Sequence, residues 1–526
     1  MFICLPDSIR LYAENGNGFA RGAHIEFGDA AADALLADHI LTLTLNADQT
    51  PVTYVKLRWN FTDAEKPASA VKVFGDAWER GYGDLMWKGI VPDRCMPWVC
   101  AASNVSKTEC FGVKTRPAAM CFWQYDSKGI TLWADVRNGG SGVILGGRKL
   151  TVCEILFGEG SGESAFSVLK KFYLRLNDTV LPLSHPVYGS NNWYYAYGKS
   201  SAEEIIHDCE LISSLTEGIE NRPYLVIDAG WDAFNCEGPW DRGGEDYGNM
   251  RTLCGRMRAA GVRPGIWVRY LIDKNHLRAE LEGEARLMRD DEYLDPSHPA
   301  VIEAVKADTR RLVREWGFEL IKHDFSTFDI FGFWGFQRSA NLAADGWHFF
   351  DRSRTSAEII LDFYRAIREA AGDAILIGCN TIGHLAAGLV HLNRTGDDTS
   401  GLVWERTRKY GVNTLAFRML HDKAFYAADA DCVGITDKYP FRPHNAEWLR
   451  ALSMSGTPLF VSLKPGVLTE EELAEMRAAL LRASKQEDVM EPVDWMDTAC
   501  PSKYLVNGKE ESFDWIDADG DNPFYC

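Results

Sequence analysis

The spacing of apolar residues changes along the chain and divides its 526 residues into two main parts. Up to about Phe157, apolar and polar residues alternate with a period of two. Clear examples are Leu41-Thr-Leu43-Thr-Leu45 and Leu150-Thr-Val152-Cys-Glu-Ile155. Successive side chains of a strand point to opposite faces of a sheet, so this alternation predicts half-buried strands. We therefore expect an all-β N-terminal domain, a β-sandwich, over residues 1–180.

From Val187 onward, short apolar runs alternate with amphipathic segments. The apolar runs predict strands at 188–193, 224–228, 263–268, 318–324, 374–378, 389–393, 432–435 and 458–462. Capping boxes, Ser or Thr followed by Glu three residues later, predict helix starts at Ser201, Thr355 and Thr469. Eight strands alternating with helices over about 300 residues favour a (β/α)8 TIM barrel over a doubly wound sheet. We place this catalytic barrel at 181–487 and a short, β-like C-terminal extension at 488–526.

Composition narrows the class of protein. The length exceeds the roughly 250–300 residues that one hydrophobic core serves, which predicts a multidomain chain. With 56 basic and 75 acidic residues the net charge is −19, which argues against nucleic acid and anionic membranes as partners. No segment approaches about 18 consecutive apolar residues, and the N-terminus lacks a secretion pattern, so we expect a soluble, cytoplasmic protein. Thirteen cysteines without metal-ligand spacing suit reduced thiols, and we expect neither a metal nor an organic cofactor.

Polar and aromatic residues collect at the carboxyl ends of the predicted barrel strands, where parallel barrels carry their active sites. The first four strands end at Trp193, at Asp228 and Trp231, at Trp267, and at Lys322 and Asp324. The fifth ends at Cys379-Asn380, the sixth is followed by Arg394 and Asp397-Asp398, and the seventh begins at Asp431. The tryptophans can serve as platforms for sugars, although core packing accounts for most of the 17 in the chain.

Asp324 ends the apolar run Leu320-Ile-Lys322-His-Asp324. Taken alone, it is equally well explained as a cap of the next turn or as a nucleophile or base. Lys322 projects to the same side of the strand and would hold the pKa of Asp324 down, whereas His323 points away and fits a core position. Glycoside hydrolysis requires a second carboxyl group across the sugar, and Asp397 is placed to supply it. The dipeptide Asp397-Asp398 alone also fits a solvated turn.

Three segments resemble the signatures of glycoside hydrolase clan D, the α-galactosidases and α-N-acetylgalactosaminidases. They are Tyr224-Leu-Val-Ile-Asp228-Ala-Gly-Trp231, Leu320-Ile-Lys322-His-Asp324 and Arg394-Thr-Gly-Asp397-Asp398. Segments 429–434 and 456–462 resemble the last two barrel strands of that clan. A β-sandwich before the barrel is similar to the melibiase branch, family 36, more than to family 27.

The resemblance implies a retaining double displacement, with Asp324 as nucleophile and Asp397 as acid/base. It also implies that Asp228 and Lys322 bind sugar hydroxyls and that Trp193 forms a wall of the pocket. With the other strand-end residues, the predicted substrate-binding set is Trp193, Asp228, Trp231, Trp267, Lys322, Cys379, Asn380, Arg394, Asp398 and Asp431. The expected partner is an oligosaccharide or glycoside, cut from its non-reducing end.

Two departures from the clan pattern concern the choice of sugar. Ala229 stands where family members often have a second acid, and Cys379-Asn380-Thr-Ile-Gly383 replaces the pattern that reads the substituent at C2. The arginine that usually lies four residues before the acid/base falls on Asn393, with Arg394 one place later. We expect an α-galactosidase. The alternatives are an α-glycosidase of other specificity, such as an α-N-acetylgalactosaminidase or α-glucan hydrolase, and a barrel that binds carbohydrate without cleaving it.

The sequence leaves the C2 group, the aglycone, the linkage and the oligomeric state open. The aromatic-rich loop 325–350 predicts a packed lid, an aglycone subsite or a contact with a second subunit. A contact with a second subunit would make the protein a homo-oligomer.

Overall fold

A computed structural model describes residues 4–63, 65–67, 70–104, 106–438 and 443–525, and its N-terminal part is a sandwich of two antiparallel sheets. Its strands are β1 (Ser8–Ala13), β2 (Gly16–Arg21), β3 (His24–Phe27), β4 (Ala30–Ala37), β5 (Ile40–Asn46), β6 (Val52–Asn60), β7 (Lys72–Gly75), β8 (Met96–Pro97), β9 (Val99–Ser103), β10 (Lys107–Val113), β11 (Met120–Asp126), β12 (Gly129–Asp135) and β13 (Lys149–Ser161). One sheet has the order β2-β1-β6-β12-β11-β8 and the other β3-β4-β5-β13-β10-β9-β7.

Large aromatic side chains fill the space between the two sheets. Trp59 on β6 lies 5.6 Å from Phe157 on β13, measured between ring centroids, and Trp123 on β11 lies 6.1 Å from Phe111 on β10. All four are buried. Such rings bury large apolar areas, and alternation along each strand turns them to one face. The predicted β-sandwich is therefore confirmed.

The second part alternates strands with helices. After α1 (Ala165–Leu176), the elements are β14 (Tyr188–Asn191), α2 (Trp193–Ala196), α3 (Ala202–Leu215), β15 (Tyr224–Ile227), α4 (Met250–Ala259), β16 (Arg263–Val268), α5 (Pro299–Arg310), β17 (Leu320–His323), α6 (Ser326–Phe331), α7 (Gly335–Arg338), α8 (Ser356–Ala371), β18 (Ile375–Gly378), α9 (Gly383–Ala386), β19 (Leu392–Arg394), α10 (Trp404–Thr407), α11 (Thr414–Arg418), β20 (Ala427–Asp429), β21 (Cys432–Ile435), α12 (Pro443–Met454), β22 (Leu459–Leu463) and α13 (Glu470–Ala483). A π-helical stretch, Arg311–Trp316, follows α5, and a second one, Arg408–Asn413, follows α10.

The strands of this part form one parallel sheet in the order β20-β19-β18-β17-β16-β15-β14-β22-β21. Its two edge strands, β20 and β21, are consecutive in the chain and are separated by Ala430 and Asp431 alone. Asp431 has a left-handed backbone, with φ of 68°, which interrupts the seventh strand. The sheet therefore closes on itself, and its nine segments make the eight strands of a (β/α)8 barrel.

Alternation along β17 sets the direction of its side chains. Leu320 belongs to the apolar cluster inside the barrel, whereas Ile321 belongs to the outer core beneath the helices. Lys322 and Asp324 have the same parity as Leu320 and face the mouth, whereas His323 faces Tyr364 on α8. The strand thus delivers a cation and a carboxylate to one end of the barrel.

The predicted elements and the observed ones differ mainly at their ends. The first barrel strand ends at Asn191 rather than 193, because Trp193 begins α2. The sixth runs from Leu392 to Arg394 rather than over 389–393, because the amide of Val390 still bonds to the carbonyl of Ala386 in the turn after α9. The three capping boxes are present as predicted. The domain boundaries at 180 and 487 stay predictions.

The C-terminal extension contains a small antiparallel sheet of β23 (Met490–Pro492), β24 (Lys503–Val506) and β25 (Lys509–Ser512). Arg450 on α12 donates to the carbonyl of Ser512 at 2.7 Å, which fixes this sheet to the barrel. Within the described residues, no helix combines the length and the apolar composition that a membrane crossing requires.

The segment 76–95 between β7 and β8, here called the bridging segment, leaves the sandwich and packs on the barrel. Its Asp76 accepts from buried Arg418 at 2.9 Å and contacts His421 at 2.8 Å. The amide of Gly81 donates to the carbonyl of Thr395 at 2.7 Å, at the end of the sixth barrel strand. The bridging segment therefore reaches the mouth of the barrel.

Candidate active site

A cavity of about 730 Å³ opens at the carboxyl ends of the barrel strands. Eight of the predicted site residues line it: Trp193, Asp228, Trp267, Lys322, Asp324, Asn380, Asp397 and Asp398. Other lining residues include Arg80, Tyr82, Asp84, Arg269, Phe325, Trp334, Phe336, Arg406, Lys409 and Tyr410. The structure thus brings the two predicted catalytic carboxylates, Asp324 and Asp397, into one cavity.

Asp324 follows β17 and is held by three donors. One carboxylate oxygen accepts from the indole N–H of Trp267 at 3.0 Å, and the other accepts from the amide of Phe325 at 2.7 Å and from the side chain of Asn380. Phe325 has a left-handed backbone, with φ of 62°, which is rare for an aromatic residue and concentrates at functional sites. These contacts fix the direction of the carboxylate.

The same surroundings keep Asp324 ionised. Burial alone would raise the pKa of Asp324, but the positive charge of Lys322 and the hydrogen bond from Trp267 outweigh it, so that the pKa lies below its ordinary value. An ionised carboxylate at a strand end is the state that a nucleophile requires. The predicted influence of Lys322 on Asp324 agrees with this direction.

An ion pair forms the floor of the cavity. The ammonium of Lys322 lies 2.7 Å from Asp228, whose same oxygen accepts from Asn191 at 2.6 Å. Its other oxygen accepts from the amide of Ala229 at 2.8 Å. Burial lowers the pKa of Lys322, but Asp228 more than compensates and raises it. A charged donor and a charged acceptor therefore lie side by side where a sugar ring would rest.

Four predicted site residues do not line this cavity. Trp231 is fully buried and donates its indole N–H to the carbonyl of Trp267 at 2.8 Å. Arg394, Asp431 and Cys379 lie beneath the mouth: Arg394 pairs with Asp431 at 3.0 Å and donates to the sulfur of Cys379 at 3.4 Å. Asp431 also accepts from Thr399 at 2.9 Å and from Tyr194. These groups bond to the protein itself and hold the loop after the sixth strand.

The acidic pair Asp397-Asp398 has two different environments. Asp397 forms an ion pair with Arg80 of the bridging segment at 2.7 Å. Asp398 lies 3.4 Å from Arg394. The side chain of Asp398 is 46% exposed, and its partial burial together with the negative charge of Asp431 raises the pKa of Asp398 above its ordinary value. The sequence predicts acidic neighbours for Asp397, but it does not predict the arginine that pairs with it.

Two loops supply several lining residues that the sequence did not predict. The bridging segment contributes Arg80, Tyr82 and Asp84, and the loop after the sixth strand contributes Arg406 and Lys409. Both loops lack a motif, and they are far apart in the chain. The run Trp78-Glu-Arg-Gly-Tyr82, which combines aromatic and charged residues inside an all-β region, is the one signal that marks the first loop.

The aromatic-rich loop 325–350 is largely a packed lid. Trp347 and Phe349 are buried, and the carbonyl of Trp347 accepts from the amide of Gly140 in the sandwich at 3.0 Å. Trp334 contacts the ring of Phe325, with centroids 5.7 Å apart, and lines the cavity. Phe336 is 54% exposed at the rim. This loop therefore joins the sandwich to the cavity wall.

The environment of His323 tests the side-chain direction that alternation along β17 predicts. His323 is buried, and burial lowers its pKa to about 4, which keeps it neutral. This agrees with the core position that alternation predicted. Among the described residues, no group of three or more His, Cys, Asp or Glu side chains is arranged to hold a metal ion.

The fold and the cavity together define a class: a β-sandwich followed by a (β/α)8 barrel with an acidic mouth. No family model matches the sequence, and no curated protein matches it either. Solved structures with the same fold do exist. An α-galactosidase of Thermus thermophilus, solved with p-nitrophenyl α-D-galactopyranoside, shares 17% identity and a TM-score of 0.61, covering 93% of this chain and 99% of that one.

Two further solved structures agree with this one. A GH36 α-galactosidase of Geobacillus stearothermophilus in complex with stachyose has 13% identity and a TM-score of 0.61, covering 92% of this chain and 77% of that one. An α-galactosidase of Lactobacillus brevis has 12% identity and a TM-score of 0.57, covering 92% and 74%. At these identities the similarity establishes the fold, which is the one that the clan D resemblance implied.

Proposed function

We propose that the protein is a retaining, exo-acting α-galactosidase. One observation carries the proposal: an ionised carboxylate, Asp324, is fixed at the end of a barrel strand in a cavity that also holds the acidic pair Asp397-Asp398. Glycoside hydrolysis needs one carboxylate on each side of the scissile bond. The shared fold with solved α-galactosidases supports the choice of sugar.

The proposed reaction has two displacements. The Asp324 carboxylate attacks the anomeric carbon while the bond to the leaving oxygen breaks, and the acid group gives that oxygen its proton. The same group, now a carboxylate, then takes a proton from water, whose oxygen attacks the anomeric carbon and releases Asp324. Trp267 and Asn380 direct the attacking oxygens through their hydrogen bonds.

Either member of the acidic pair can supply the proton. The resemblance favours Asp397, which forms an ion pair with Arg80 at 2.7 Å. Asp398 has the raised pKa that a proton donor needs. We therefore propose that the proton comes from this pair, with Asp397 as the member that the resemblance favours and Asp398 as the alternative.

The floor of the cavity would bind the galactose ring. We propose that Asp228 accepts from its hydroxyls, that Lys322 donates to them, and that Trp193 packs against one side of the ring. Asn380 adds an acceptor, because its side-chain oxygen is buried and lacks a hydrogen-bond partner among the described residues. Ala229 offers no such group, and this departure makes an α-glycosidase of other specificity the second hypothesis to test.

The first experiment is a panel of nitrophenyl α- and β-glycosides of galactose, N-acetylgalactosamine and glucose. We expect turnover of the α-galactoside, with α-galactose as the first product by NMR. Asp324→Asn should lower kcat by at least about 1000-fold, because it removes the nucleophile and keeps the shape. A wild-type protein that binds galactosides and cleaves none would leave the binding-barrel alternative.

The second experiment separates the two acids. Asp397→Asn and Asp398→Asn are compared on a nitrophenyl α-galactoside and on an α-galactosyl disaccharide. A nitrophenolate leaves without help, whereas a sugar alkoxide needs the proton. We expect the true acid variant to lose at least about 100-fold more activity on the disaccharide than on the nitrophenyl substrate. Equal losses on both substrates would remove that residue from the role.

The location of the protein is also proposed. The cysteines of the described residues are all free thiols, and most of them are buried. Free thiols persist in a reducing compartment. This supports the cytoplasm as the site of action.

A further inference from the structure

Among the residues that the structure describes, two cations at the rim of the cavity have no negative partner. Arg406 lies on α10, and Lys409 lies in the π-helical stretch that follows. Both line the cavity, yet neither side chain forms an ion pair or a hydrogen bond with any residue that the structure describes. The guanidinium of Arg406 lies 5.5 Å from the ring centre of Tyr410, a contact that leaves its charge uncompensated.

Each of the other three cations that line the cavity forms an ion pair with a carboxylate. Arg80 pairs with Asp397 at 2.7 Å, Lys322 pairs with Asp228 at 2.7 Å, and Arg269 pairs with Asp329 at 2.6 Å. Arg406 and Lys409 are therefore the two lining cations with charge to offer a ligand. This is notable in a chain whose net charge is −19.

The stem of Lys409 lies in a fitted groove. It packs against Gly83 of the bridging segment, where a Cβ atom would come within 1.9 Å of the Cγ of Lys409 and 2.8 Å of its carbonyl oxygen. Gly83 also has φ of 78°, a conformation that suits glycine. The absence of a side chain at Gly83 thus lets the lysine lie along the segment. Asp84, an exposed carboxylate at the same rim, accepts from the amide of Tyr82 at 3.3 Å and forms no ion pair with Lys409.

How deep each charged group lies in the cavity determines which part of a substrate it would contact. The floor pair Lys322–Asp228 is buried, whereas Arg406 is exposed and Lys409 is half-buried. A galactose ring bound at the floor leaves its aglycone at the rim. Phe336 and Tyr410 add aromatic surface there.

We propose that the rim formed by Arg406 and Lys409 selects α-galactosides whose aglycone carries an anionic group, such as a carboxylate. This inference rests on the proposed α-galactosidase activity and adds a substrate class to it. An exposed charge pair contributes about 1 kcal/mol or less, so we expect up to about fivefold selectivity from each cation.

The test compares 4-(carboxymethyl)phenyl α-galactoside with its methyl ester, two substrates with nearly the same leaving group. We expect wild type to show about tenfold higher kcat/KM on the acid at low ionic strength, falling as salt is added. Arg406→Ala and Lys409→Ala should each reduce the ratio of kcat/KM on the acid to kcat/KM on the ester, and the double variant should bring that ratio to about one. Arg251→Ala on α4, an exposed cation that does not line the cavity, is the matched control.

Binding of the same two ligands to the Asp324→Asn variant, by calorimetry, separates the two hypotheses. If neither substrate is hydrolysed, the proposed function fails, and tighter binding of the acid would still support the anionic site. Equal kcat/KM and equal affinity for acid and ester would overturn the inference. A preference for the acid that survives in the double variant would overturn it as well.

Discussion

Arg80 belongs to the bridging segment, outside the barrel, and yet it carries the positive charge nearest to the acidic pair Asp397-Asp398. It is buried, and its guanidinium lies 5.1 Å from the centre of the Trp334 ring. A buried arginine keeps its charge at any working pH. Its charge therefore acts on more than one carboxyl group of the cavity.

The charge of Arg80 lowers the pKa of both Asp324 and Asp398. In Arg80→Gln both values should rise. The nucleophile would then ionise at higher pH and the acid would hold its proton to higher pH. We expect both limbs of the pH profile of kcat/KM to move upward, by less than about one pH unit. Arg251→Gln should leave both limbs in place, and a downward shift in Arg80→Gln would contradict the assignment.

At the scale of elements, β17 and the bridging segment contributed to the site in different ways. Asp324 and Lys322 could be predicted because alternation along one apolar run fixes which side chains face the mouth. Arg80 and Lys409 could not, because their positions depend on packing between segments far apart in the chain. Trp231 and Asp431 were predicted as site residues because they lie at strand ends, yet they do not line the cavity. Their hydrogen bonds hold both side chains in the protein interior.

The bridging segment is anchored by a buried ion pair that can be tested through stability. Burial raises the pKa of Asp76, but Arg418 and His421 outweigh it and hold the pKa well below its ordinary value. Asp76→Ala would leave Arg418 buried without its partner, which should cost about 3–5 kcal/mol in the free energy of unfolding. Asp84→Ala, an exposed carboxylate of the same segment, should change it by about 0.5 kcal/mol or less. Denaturant unfolding measures both.

The same pair predicts an acid limit. A carboxyl group with a depressed pKa in the folded state contributes its full stability above its unfolded pKa of about 3.9. That contribution is lost as the pH falls through the depressed value. We expect the stability difference between wild type and Asp76→Ala to be constant near neutral pH and to shrink below about pH 4. A difference that already changes between about pH 5 and 6.5 would point to His421 instead, because burial lowers the pKa of His421 below its ordinary value.

At the scale of the whole molecule, the cavity at the barrel mouth has walls from both the sandwich and the barrel. Tyr82 and Phe336, which pack with ring centroids 4.3 Å apart, join the two at the rim. A ligand in this cavity therefore contacts both parts, and binding should stabilise them together.

Hydrogen exchange with and without galactose tests this coupling. A ligand at 100 times its Kd adds about 2.7 kcal/mol to the stability of the state that binds it. We expect slower exchange both in β17 and in the bridging segment, although only the first belongs to the barrel. Protection confined to the barrel strands would show that the bridging segment does not take part in binding.

The contact between Gly81 and Thr395 also means that the cavity is completed late in the synthesis of the chain. The ribosome makes the sandwich first, and the barrel loop that receives the bridging segment follows only about 300 residues later. Until then Arg80 has no carboxylate to pair with, and the acidic pair does not yet exist. The proposed catalytic groups therefore meet only in a nearly complete chain, and we expect a nascent chain that stops before Thr395 to lack the cavity.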